Sequence, residues 1–247
     1  MSIGKPDSSV TAPPTYSSKQ WIELAATVIM AVAAVVVAFV VVSGRSAASA
    51  PRPTFKAPTS PVSFANAARH GNATAKVAVI MFSEFQCPFC GRFATQTLPR
   101  LTEEFIDTGR VQLAFRHLPL GIHQDAQRAA EAAECARDQG KFWQMHDELF
   151  RSPKELDVKT VKARAATIGV DAAAFSACLD LAQTKARVDA DVAAARELGI
   201  NGTPLFFIGS LLPDGSSVAV KEVLMGARPY ADFKAAIESA LAVVGGL

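Results

Sequence analysis

Val77-Ala78-Val79-Ile80-Met81-Phe82-Ser83-Glu84-Phe85-Gln86-Cys87-Pro88-Phe89-Cys90 is the stretch on which the fold turns. Residues 77–82 form a continuous apolar run rich in β-branched side chains, as in a strand buried on both faces. Cys87 stands five residues beyond Phe82. Pro88 suits the first position of a helix, where a missing N–H breaks no intrahelical bond. Phe93, Leu98, Leu101 and Phe105 then recur at near-helical spacing until Gly109, a helix stop. Pro99 inside that stretch is expected to kink the helix. Val111-Gln112-Leu113-Ala114-Phe115 reads as a second strand. Strand, CxxC, helix, strand is a βαβ unit, so the two strands are expected to be parallel.

Downstream, His123 to Leu198 turns helical and Ala-rich, with breaks at Gly140, Pro153 and Gly169-Val170-Asp171, giving four or five short helices. Leu205-Phe206-Phe207-Ile208 follows Gly202-Thr203-Pro204 as a strand. A turn at Pro213-Asp214-Gly215 and a strand near Ser217–Val220 complete a hairpin. Tyr230 to Val244 reads as a last amphipathic helix, with Phe233, Ile237 and Leu241 on one stripe. The order is βαβ, helical block, ββα.

Upstream, residues 1–20 are polar and rich in Ser, Pro and Thr, a composition that favours disorder. Leu24 to Val42 is a run of 19 residues without charge, about 28 Å as a helix and sufficient to cross a bilayer core. It is longer than a signal-peptide core, which favours an uncleaved anchor over residues 21–43, although Ala48-Ser49-Ala50 fits a cleavage site. Charges flank the run on both sides and do not choose its orientation. Residues 44–61, with Pro51, Pro53, Pro58 and Pro61, read as a solvated spacer before a domain at 62–247. The net charge of +2 comes with no basic stripe, which argues against nucleic acid as a partner.

Chemistry is concentrated at Cys87-Pro88-Phe89-Cys90. A nucleophilic cysteine must be a thiolate, and a helix start directs unpaired N–H groups and the positive dipole end at the Cys87 sulfur. Cys90, one turn on, is placed to close or reopen a disulfide with Cys87 through exchange. The alternative is zinc, but a structural zinc site wants four ligands. Neither Cys135 nor Cys178 lies in a second motif, so no metal and no other cofactor is expected. Thr203-Pro204, directly before a strand, is the second half of the site: a cis bond would present the Thr203 backbone to a substrate strand beside Cys87, against the alternative of a trans turn proline.

With both pieces in place the sequence resembles the DsbA-like branch of the thioredoxin superfamily over roughly residues 62–244. The marks are Phe82 to Cys90 as quoted, Arg116-His117-Leu118-Pro119-Leu120, Gln139-Gly140-Lys141-Phe142-Trp143 with His146-Asp147, and Gly202-Thr203-Pro204. The resemblance implies an α/β thioredoxin fold with an inserted helical domain at about 123–198, here preceded by one N-terminal transmembrane helix. It also implies oxidation of cysteines in exported proteins, a membrane redox partner that restores the Cys87–Cys90 disulfide, and a bacterial setting. Two features depart from the family. Phe89 stands where the strongest oxidants carry His and cannot donate to the thiolate, predicting a less extreme thiol pKa and a weaker oxidant. Met81 occupies the place, six residues before the first cysteine, where thioredoxins bury an acid.

Glu84 therefore admits two readings, a local proton handler or an exposed charge at a strand end. Cys135 and Cys178 admit two as well. They form a structural disulfide closing a loop of about 44 residues, contributing roughly 4 kcal/mol, or they are separate buried thiols; an exported domain favours the disulfide. His70, His117, His123 and His146 are too dispersed for a metal site, His146 reads as structural and His123 as a helix-start residue. Phe142, Trp143 and Phe150 read as core, whereas exposed Phe89 is expected to contact unfolded chains. The leading function is a membrane-anchored dithiol oxidase acting outside the membrane on reduced exported proteins. Its rivals are an isomerase or reductase of the same fold and a redox-silent tethered chaperone or scaffold.

Overall fold

The computed structural model describes residues 17–43 and 55–246. Residues 1–16 of the expected tail, and 44–54 of the expected spacer with its Ala48-Ser49-Ala50, lie outside the described residues. The chain divides into two compact units, Met1–Arg52 and Pro53–Leu247.

In the first unit α1 runs Ser18–Ser43, 26 residues, or about 39 Å. It starts three residues before the expected anchor, because Ser17 opens it: the Ser17 N–H bonds Gln20 Oε1 at 2.9 Å and its carbonyl accepts from Trp21. Within it, Ser18–Val37 is long and apolar enough to cross a membrane.

The second unit is built on one six-stranded mixed sheet in the order β1-β6-β5-β3-β4-β2. Its strands are β1 (Val62–Ser63), β2 (Ala68–His70), β3 (Val77–Ser83), β4 (Val111–His117), β5 (Leu205–Leu211) and β6 (Ser217–Met225). β3 lies parallel to β4, Val77 opposite Val111 and Ser83 opposite His117, and antiparallel to β5, Phe82 opposite Leu205. All seven residues of β3 are buried. Successive side chains point to opposite faces of a sheet. Val77, Val79 and Met81 accordingly enter one core with Phe93, Phe105, Phe115, Phe206 and Phe233. Ala78, Ile80 and Phe82 enter a second with Phe64, Phe207 and Val218. The run is unbroken because both its faces are covered.

Between β3 and β4 the chain is helical from Pro88 to Ile106. It comprises α2 (Pro88–Arg92), a π-helical turn (Phe93–Thr97), α3 (Leu98–Leu101) and a second π-helical turn (Thr102–Ile106). Pro99 was expected to kink this helix. A π-helical turn precedes it, and Pro99 sits in the first turn of α3.

Five helices separate β4 from β5: α4 (Ala126–Arg137), α5 (Phe142–Arg151), α6 (Val158–Thr167), α7 (Ala172–Asp180) and α8 (Lys185–Glu197). Asp157 and Asp171 cap α6 and α7, accepting from Thr160 N–H at 3.1 Å and Ala174 N–H at 2.8 Å. Cys135 on α4 and Cys178 on α7 are joined by a disulfide with Cα atoms 5.9 Å apart. Polar contacts fasten this block to the end of β4. Asp191 on α8 accepts from Arg116 Nε and from the His117 N–H, both at 2.8 Å. His117 Nε2 meets Glu134 on α4 at 3.2 Å. After the β5–β6 hairpin, α9 (Tyr230–Gly245) buries Phe233 and Ile237.

Candidate active site

β3 ends at Ser83, and the next four residues carry the chain to Cys87. Phe85 fixes this loop from below: fully buried, it stacks on Phe115 with ring centres 5.4 Å apart and meets Phe150 at 4.9 Å. Gln86 fixes it from the side, accepting from the Asp125 N–H at 2.7 Å and donating to Asp125 Oδ2 at 3.2 Å. The loop thus delivers Cys87 in an extended conformation to the cap position of α2, with Pro88 in the first turn.

The other wall is the start of β5. Pairing of Phe82 with Leu205 sets residues 203 and 204 beside the exit of β3. The Thr203–Pro204 peptide is cis, and the Pro204 carbonyl accepts from the Gly226 N–H at 2.8 Å. The Thr203 carbonyl faces Cys87 Sγ at 3.5 Å and accepts from the thiol when Cys87 is protonated. Expected site residues from both ends of the domain therefore meet. Phe89 projects outward, 50% exposed, while Cys87 and Cys90 are buried free thiols.

The two sulfurs have opposite acidities. The Cys87 thiol is lowered to about 5, chiefly by a hydrogen bond from the Cys90 thiol; burial opposes this, and Thr203 and the N–H groups of Cys90 and Phe89 assist. Cys90 is pushed well above the usual thiol range by burial, and the anion at Cys87 holds its proton in place. Of the pair, Cys87 is the anion and Cys90 the acid.

Glu84 is fully buried, which removes its reading as an exposed strand-end charge. Its carboxylate accepts from the Gln86 N–H at 2.8 Å and is ion-paired with His123 Nδ1. Burial drives its carboxyl pKa up, the Gln86 N–H and His123 counter, and the charge of Cys87 pushes it up again. From the sequence, His123 is expected at a helix start. α4 starts only at Ala126, and the His123 side chain reaches Glu84 instead. Strand order carried a signal for this contact, since loops leaving neighbouring parallel strands at the same end are adjacent. The Leu118 N–H bonds the Ser83 carbonyl at 2.9 Å there.

His146 is fully buried against Phe85, Phe115 and Phe150, and burial pushes its pKa down. Phe142 and Phe150 are buried and Trp143 is partly so, donating from Nε1 to the Arg69 carbonyl at 2.8 Å. Cys135 and Cys178 are bonded to each other and make no set of four thiols with Cys87 and Cys90. Among the described residues no group of three or more His, Cys, Asp or Glu is placed to hold a metal ion.

Residues 65–237 match the family model described as Thioredoxin. The chain belongs to the thioredoxin family. It is 32% identical over 164 residues to the probable disulfide bond formation protein D of Bacillus anthracis, a match covering 62% of this chain and 75% of that protein. It is also 38% identical over 139 residues to Na(+)/H(+) antiporter NhaA 3 of Salinispora tropica, covering 56% of this chain. The match spans 21% of that antiporter's length, so the shared piece is one part of a longer protein. Among solved structures, the crystal structure of α-DsbA1 from Wolbachia pipientis has the same fold, with TM-score 0.63 and 23% identity over 72% of this chain and 92% of that one.

Proposed function

We propose that this chain is a dithiol oxidase of exported proteins, anchored by α1 with its thioredoxin domain outside the membrane. One observation carries the reading: a buried Cys87 sulfur, acidified to about 5, faces the Thr203 carbonyl at 3.5 Å. An acidic thiol is a good leaving group, and a backbone acceptor beside it can pair with an extended substrate.

Oxidation then runs in two displacements. A substrate thiol ionises and its sulfur attacks Cys87 Sγ. The Cys87–Cys90 bond breaks, a mixed disulfide forms, and Cys90 leaves with the electron pair and takes up a proton. The second substrate thiolate attacks the substrate sulfur of the mixed disulfide, closing the substrate disulfide and releasing Cys87 as a thiolate. Two electrons pass from substrate to enzyme; one substrate proton is balanced by that on Cys90 and the other goes to solvent. Cys90 is 1% exposed and needs an internal source for its proton. Glu84 fills that role, and His123, 22% exposed at its side chain, connects Glu84 to water. Phe89 offers apolar contact to unfolded chains. Reoxidation of the pair requires a two-electron acceptor, assigned to a membrane redox partner.

The test is the Cys87–Cys90 reduction potential. At pH 7 a thiol of pKa about 5 stabilises the reduced enzyme by about 2 kcal/mol more than one near 7, which raises the potential by about 50 mV over thioredoxin's roughly −270 mV. A measured value at or below that of thioredoxin overturns the oxidase reading in favour of a reductase. Equal peptide oxidation by wild type and Cys87→Ala would overturn the enzyme reading altogether.

A further inference from the structure

Beside the redox pair lies a groove walled by Arg92 and Arg100 from the Pro88–Ile106 helix and by Arg228 and Tyr230 from the turn leading into α9. Its floor includes the buried Thr97. Both walls begin at the site described above. Arg92 is two residues past Cys90. Arg228 lies two residues past Gly226, whose N–H is bonded to the Pro204 carbonyl. The groove therefore lies between the helix that follows Cys87 and the turn that follows β6, each of which adjoins the site.

Its charge is one-sided. The Arg228 guanidinium is paired with Asp232 at 2.7 Å, and Glu104 is occupied by the Tyr230 hydroxyl and Lys234. Arg92 and Arg100 have neither a carboxylate partner nor a hydrogen bond to any described residue. Each lies instead over an aromatic ring. Arg92 lies over the Phe89 ring at 5.4 Å and Arg100 over the Tyr230 ring at 3.8 Å. A stacked guanidinium keeps its N–H edge free, and that edge matches a carboxylate with two parallel hydrogen bonds. Two guanidinium groups without a carboxylate partner, lining a groove that adjoins the helix of the redox pair, form a carboxylate-recognition surface.

We infer that the groove selects substrate segments carrying acidic side chains close to the cysteine that reacts with Cys87. This rests on the oxidase reading and adds a substrate class to it. Five residues separate Cys87 from Arg92, about 8 Å along the helix. An extended chain covers that distance in about two to three residues, so the acidic position facing Arg92 falls within roughly four residues of the substrate cysteine.

The experiment uses the oxidised full-length protein in detergent and three dithiol peptides that differ only at positions one to four from the reacting cysteine, carrying Glu, Gln or Lys. Oxidation of the Glu peptide is expected to exceed that of the Gln peptide by roughly tenfold in kcat/KM at low salt, with the Lys peptide slowest. The preference should shrink between about 50 mM and 500 mM salt as screening shortens the range of the charges. In Arg92→Gln/Arg100→Gln the Glu and Gln peptides should converge while the Gln peptide keeps its wild-type rate. Equal rates for Glu and Gln peptides in wild type overturn the inference and leave the oxidase reading intact. A preference that survives in the double variant overturns it too. Failure of wild type to oxidise any of the peptides is a failure of the oxidase reading itself.

Discussion

Replacing Cys90 by Ala takes away the group that contributes most to the acidity of Cys87. The Cys90 thiol gives the largest lowering of a Cys87 pKa that stands at about 5. A hydrogen bond to a charged group contributes about 1.5–3 kcal/mol, and about 1.4 kcal/mol corresponds to one pKa unit. Cys87 should therefore rise by about one to two units in Cys90→Ala, to roughly 6–7. It should stop short of the free-cysteine value of about 8.5, because Thr203 and the first N–H groups of the helix still face the sulfur. Cys90→Ser keeps an O–H donor and should leave the midpoint within about one unit of wild type. Ultraviolet absorbance of the thiolate against pH gives the midpoint, and the pH dependence of alkylation by iodoacetamide gives it independently. Each variant has a single free thiol, so each curve belongs to Cys87. A Cys90→Ala midpoint equal to or below that of wild type would refute the reasoning. So would a Cys90→Ser midpoint near that of free cysteine.

Further outcomes follow from the same geometry. Since the folded-state thiol pKa of Cys87 is depressed, its contribution to the reduced protein is complete above the unfolded value near 8.5 and is lost as pH falls through about 5. Paired denaturant titrations should accordingly show the reduced form gaining about 2–3 kcal/mol relative to the oxidised form between pH 4.5 and 7; a constant difference over that window counts against it. His123→Gln retains a hydrogen-bond donor to Glu84 but cannot pass a proton at neutral pH. It should slow peptide oxidation by about tenfold to a hundredfold, with partial restoration by added imidazole, and an unaltered rate at every pH removes His123 from the proton route. Cys135→Ala/Cys178→Ala should lose about 4 kcal/mol in denaturant unfolding while peptide oxidation at low denaturant stays unchanged. Gly209→Ala should sharply reduce the yield of folded protein, because an added Cβ would lie 2.0 Å from the Ala219 carbonyl oxygen.

Residues 77–115 held most of the fold, because local chemistry dictates each step: an apolar run long enough for a strand covered on both faces, a cysteine before a helix-starting proline, then a second strand in parallel register. The helical block was legible as short Ala-rich segments between glycines and prolines, since each break is a local event. Contacts that bridge distant loops were not legible. Nothing near His123 in sequence indicates that it meets Glu84; the meeting follows from the parallel pairing of β3 with β4, a property of the sheet. The same holds for Gln86 with Asp125, and for the groove, whose arginines are separated by 136 residues between Arg92 and Arg228. The π-helical turns on either side of α3 escaped for a different reason: widening of a turn is set by packing and leaves no periodic mark in the sequence. The edge strands β1 and β2, of two and three residues, are too short to carry a pattern.

Because the alternate side chains of β3 are shared between two separate cores, the strand that leads to Cys87 has no slack toward either face. The mounting of the reactive sulfur behaves as an anvil, and whatever compliance the encounter requires has to come from the incoming polypeptide. Clients that still flex around their cysteines can conform to the groove and the Thr203 backbone. Under the proposed oxidase function, clients already locked into their final shape would fit less readily, and chains early in maturation would be the better substrates.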